Sequence, residues 1–120
     1  MNSINTVLNS ITQDIYTDKK TDIYRDFFYT SMLHHVISLE IATKSYEGKL
    51  ISFEKLCNII PKKFGCKSSI KTILDHGVIN GFFIKEKEAK DKRIKRYKLS
   101  EGYSLMLTNW YLDKKVKFMN

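Results

Sequence analysis

A chain of 120 residues with 42% apolar and 28% charged side chains suits one globular domain and excludes a disordered composition. No apolar run approaches the roughly 20 residues that span a bilayer, and Met1-Asn2-Ser3-Ile4-Asn5 lacks the basic start and apolar core of a secretory leader, so a cytoplasmic protein with no membrane partner is expected. The net charge of +8 is unevenly spread: residues 1–61 carry net −1, residues 62–98 net +8 and residues 99–120 net +1.

Ile4, Val7, Leu8, Ile11 and Ile15 recur at spacings of three and four, which predicts an amphipathic helix over 4–16. Residues 18–22 form a polar break in which Thr21 or Asp22 can cap the next helix. That helix, the longest predicted, runs from Ile23 to about Ser45. Its apolar residues, among them Tyr24, Phe27, Phe28, Leu33, Val36 and Ile37, cover more than one face, so it is buried on most sides. Either the core of a monomer or a second copy of the chain satisfies that requirement.

Tyr46-Glu47-Gly48-Lys49 reads as a turn and Leu50-Ile51 as a short strand. Ser52 caps a helix over Phe53 to Ile60, which Pro61 stops because proline cannot continue the hydrogen-bond ladder. The turn Lys62-Lys63-Phe64-Gly65-Cys66 places Gly65 where a positive φ is expected. A second helix opens at Ser68 or its neighbour, carries Ile70, Ile73 and Leu74 on its core stripe, and ends at Gly81 in the left-handed conformation. Phe82–Lys87 and Ile94–Leu99 read as strands joined by a hairpin tip, Glu88 to Arg93. Ser100 caps a last helix through Phe118 that packs on the N-terminal helices, within or between subunits.

Two short helices joined by a tight turn, with a basic hairpin after them, predict a mainly α chain with a small β-hairpin wing. This is a winged helix-turn-helix with extra N- and C-terminal helices. Its excess charge lies on that unit rather than on a tail, the footprint of a phosphate-binding surface. A solvated surface with no partner is the plain alternative. The second helix would enter the major groove of duplex DNA, about 12 Å wide, leading with Lys67, Ser68, Ser69, Lys71 and Thr72. Lys62 and Lys63 would grip the backbone. Arg93 suits the negative potential of a narrow minor groove, and Lys90, Lys92, Lys95 and Arg96 would add phosphate contacts.

The run Ser68-Ser69-Ile70-Lys71-Thr72, the Gly81-Phe82-Phe83 entry, Asp91-Lys92-Arg93 and Leu99-Ser100-Glu101-Gly102 together resemble the MarR-type winged-helix transcriptional regulators over about residues 50–103. The hairpin motif matches the family pattern Asp-x-Arg, and the last motif its Leu-Thr-x-x-Gly. The resemblance implies a homodimer formed by the helical parts, 1–46 and 103–120, with residues 50–102 binding a palindromic operator. It implies that Asp91 holds the hairpin while Arg93 contacts DNA. The chain departs from the pattern at Gly77, where the family has a leucine. Its last helix is short for the family, so the small-molecule effector pocket of many members is not carried over, and the sequence itself indicates no effector.

Two other classes compete. The same unit can serve as a protein- or RNA-interaction module, with its charge matched to another acidic partner. An enzyme finds no support. His34-His35 sit in an apolar helix as core or interface residues, and Asp14, Asp18, Asp22 and Asp26 straddle a break. No phosphate loop or catalytic motif is present, and neither a metal nor a cofactor is expected. Cys57 and Cys66, nine positions apart, read as a helix core residue and a turn residue, with no spacing that argues for a zinc site or a redox switch.

Overall fold

The computed structural model describes residues 2–16 and 23–119. The polar break at 18–22, with its Thr21 or Asp22 cap, lies outside them. In chain order the elements are α1 (Asn2–Tyr16), α2 (Ile23–Phe28), α3 (Met32–Tyr46), β1 (Ile51–Ser52), α4 (Phe53–Ile59), a single 3-10 turn (Lys62–Phe64), α5 (Lys67–Ile79), β2 (Phe83–Lys87), β3 (Lys95–Leu99) and α6 (Glu101–Met119). The chain is therefore mainly helical, with one small antiparallel sheet in the order β1-β3-β2. Among the described residues no helix is long and apolar enough to cross a membrane.

The single long helix expected from Ile23 to Ser45 is two helices. Ser31 adopts extended backbone, and its hydroxyl accepts the His34 N–H at 3.1 Å, capping α3. The apolar pattern runs straight through this break and hides it. The corner turns Phe27 and Phe28 inward, where Phe27 stacks on Phe82 at 4.3 Å and Phe28 is wholly buried.

The sheet supplies Phe83, Tyr97 and Leu99 to the core, and α3 and α5 supply Ile37, Ile41 and Leu74. Ile51, rather than Leu50-Ile51, opens β1 and pairs with Tyr97. Inside this apolar cluster the Tyr103 hydroxyl donates to Ser38 Oγ at 2.6 Å, so neither group is left unpaired where its desolvation would be costly.

The terminal helix packs on α1 and α2 of its own chain. Ser10 on α1 donates to Asp113 and accepts from Lys114 and Lys117, at 2.8 to 3.2 Å. Yet Ile4 and Leu8 on α1, and Leu105, Tyr111, Leu112 and Val116 on α6, all stay exposed. A groove of about 420 Å³ between α3 and α6 adds Leu39, Ala42 and Trp110 to this apolar surface.

Candidate nucleic-acid interface

Local signals build the α4–turn–α5 unit. Ser52 Oγ accepts the Lys55 N–H at 3.1 Å and starts α4. After Pro61, the 3-10 turn leaves Lys62 and Lys63 exposed, with the Lys63 ammonium 5.2 Å from the Phe64 ring centre. Gly65 does not take the positive φ expected of it. Its φ of 163° is extended backbone, and a Cβ there would meet the end of the Leu33 side chain at 2.5 Å, so a larger residue would require Leu33 to shift.

Cys66, a turn residue as expected, occupies the N-cap position of α5 without a side-chain capping bond, and the helix begins at Lys67, the neighbour of Ser68. Its thiol is fully exposed and is pushed down to about 6 by hydrogen bonds from the Ser68 and Ser69 hydroxyls, which favour the thiolate. Burial instead pushes the half-buried Cys57 thiol up.

Helix α5 buries Ile70, Ile73 and Leu74 and exposes Lys67, Ser68, Lys71 and Thr72; Ser69 is half-buried. Thr72 donates its hydroxyl to the Ser68 carbonyl at 2.9 Å, and Lys71 pairs with Asp75 at 3.0 Å. Both partners of that ion pair are exposed, so it holds Lys71 only weakly. Helix α5 packs on β2 of the sheet, with Gly77 against the Phe83 ring.

Gly77, where the resemblance calls for leucine, is buried in α5, and the Phe83 ring fills the space such a side chain would need. The aromatic side chain on β2 replaces the aliphatic one on α5. The helix accordingly continues intact to Ile79 and ends before Gly81, whose φ is 79°.

In the hairpin, Asp91 Oδ1 accepts the Arg93 backbone N–H at 3.0 Å, and the carboxylate also receives the Arg93 guanidinium through two bonds of 3.1 Å. These bonds hold the Asp91 carboxyl below its usual range. Arg93 remains 91% exposed at the hairpin tip. Lys90 and Lys92 are exposed beside it, and Lys95 Nζ donates to the Lys92 carbonyl at 2.9 Å.

Pairing register sorts the strand residues by face. Lys85 lies opposite Tyr97 and Lys87 opposite Lys95, and these share the face of Phe83 and Leu99. Ile84, Glu86, Arg96 and Lys98 occupy the other face. There Arg96 pairs with Glu88 at 3.3 Å and Lys98 with Glu86 at 2.8 Å. Arg96, grouped in sequence with Lys95, is thus placed on the opposite side and neutralised, because successive strand residues alternate. Lys85 and Lys87 escape the sequence reading. Their signal is the alternation Phe83-x-Lys85-x-Lys87, whose facing only the register to Tyr97 reveals.

No family model, curated protein or solved structure matches the chain. The geometry therefore carries the functional reading. The histidines take structural positions: His34 Nδ1 lies 2.7 Å from Ser31 Oγ, and the His35 ring packs on Phe28 at 4.1 Å with its Nδ1 3.3 Å from the Phe28 carbonyl. Burial lowers both imidazoles from their usual value.

Proposed function

We propose that this chain is a sequence-specific, duplex-DNA-binding transcriptional regulator of winged helix-turn-helix type that acts as a homodimer. The observation that carries this reading is the adjacency of two basic surfaces. Helix α5 packs on β2, where Gly77 meets Phe83, and Phe83 shares its sheet face with Lys85 and Lys87, so the basic helix and the lysine-bearing side of the hairpin are neighbours. Helix α5 enters the major groove with Lys67, Ser68, Ser69, Lys71 and Thr72, whose ammonium and hydroxyl groups suit base edges and phosphates. Lys62 and Lys63 grip the flanking backbone. Arg93 exchanges its half-buried Asp91 partner for the minor groove, a trade that costs little because the guanidinium itself is 91% exposed.

The exposed apolar residues of α1 and α6 supply the homodimer surface, and two copies place two α5 helices on a palindromic site. The decisive experiment measures binding to random and selected duplexes across a salt series, together with the solution mass. A dimer that binds duplex DNA with a steep loss of affinity as salt rises is the expected result. No binding at low salt would refute the reading.

A further inference from the structure

The hairpin carries more basic residues than a reading tip needs, and they are not distributed at random. Among the described residues, both glutamates of the hairpin, Glu86 and Glu88, are spent on Lys98 and Arg96, so that face is electrically balanced. The face shared with Tyr97 holds Lys85, Lys87 and Lys95 and no carboxylate. The three ammonium groups repel one another: Lys87 and Lys85 both push the Lys95 ammonium down, after the larger effect of desolvation. A folded chain keeps such a like-charge cluster at some expense in stability, which a polyanion would relieve.

We infer that the hairpin face bearing Lys85, Lys87 and Lys95 lies along the phosphate backbone of duplex DNA, and that the face bearing Arg96 and Lys98 stays in solvent. The inference rests on the proposed DNA-binding function and specifies the side of the hairpin that serves it. Three features favour a duplex over another acidic partner. The cluster lies on the sheet face that packs on α5, where Phe83 meets Gly77, so one surface spans helix and hairpin. Lys85 and Lys87, two residues apart on one strand face, are about 7 Å apart at a rise of about 3.4 Å per residue. That spacing lets two flexible side chains reach separate phosphates of one strand. The face also offers only point charges, suited to backbone contacts that carry no sequence information.

The test compares the parent with Lys85→Gln/Lys87→Gln and with Arg96→Gln/Lys98→Gln. Each is titrated with a short random-sequence DNA duplex from about 50 to 200 mM salt. All four positions are on the surface, and circular dichroism checks that each variant folds. Loss of two phosphate contacts should flatten the log–log salt slope by about 1.8 in the first variant and leave the second close to the parent. Equal slopes in the two variants, or a larger change in the second, would overturn the facing while leaving DNA binding intact. A parent that binds no duplex DNA would sink both the facing and the function beneath it. Preference of the parent for duplex RNA, lost in the first variant, would reassign the partner and overturn the inference as stated.

Discussion

Replacing Gly77 with alanine sets two known quantities against each other. Alanine removes the helix-interior penalty of glycine, a gain of about 1 kcal/mol. Against this, the new methyl would lie 2.5 Å from one carbon of the Phe83 ring and 3.3 Å from another. Phe83 is only 2% exposed and cannot swing away, because Phe27 and Tyr103 flank it with ring centres at 5.5 and 5.9 Å. Overpacking a core costs about 1–3 kcal/mol, and a boxed aromatic ring belongs at the upper end. The net expectation is a loss of about 2 kcal/mol, or a fall in Tm of about 8 °C for a chain of this size. Urea and thermal unfolding monitored by circular dichroism measure it. Shrinking the ring should relieve the clash, so Gly77→Ala and Phe83→Leu combined should lose at least about 1 kcal/mol less than the sum of the two singly. A midpoint for Gly77→Ala equal to or above the parent would refute the claim that Phe83 occupies the place of an α5 side chain.

Three further outcomes are expected. Tyr103→Phe leaves the buried Ser38 hydroxyl without its 2.6 Å partner and should destabilise the fold by about 1–2 kcal/mol; an unchanged urea midpoint would show that Ser38 finds another partner. Cys66 should alkylate with a rate that rises through a midpoint of about 6, since its depressed thiol is mostly thiolate above that pH. A midpoint near the ordinary thiol value, measured in Cys57→Ala, would disprove the role of the Ser68 and Ser69 bonds. Arg93→Ala should weaken DNA binding and reduce preference for narrow-minor-groove sequence beside the half-site, and parental selectivity in a site-selection assay would argue against minor-groove entry at the hairpin tip.

Much of the fold was legible locally. Ser52, Pro61 and Gly81 act within a few residues of themselves, so the limits of α4 and the end of α5 come from side chains adjacent in sequence. The α2–α3 corner had a local signal too, Ser31 three residues before His34, but an uninterrupted apolar pattern masked it. For the candidate site, Lys67, Ser68 and Thr72 were readable because helical periodicity alone separates them from Ile70 and Ile73. Lys85, Lys87 and Arg96 were not, because the facing of a strand residue depends on its partner strand.

By itself the sequence determined where the positive charge lies, the order of helices and hairpin apart from the α2–α3 corner, and the residues that start and stop α4 and end α5. These are properties of composition and of contacts a few residues long. Only the tertiary structure decided that Phe83 fills the space beside Gly77, that Gly65 yields to Leu33, and that the hairpin has one neutralised face and one of bare lysines. Each depends on groups brought together from different elements, whose meeting is set by packing and strand register.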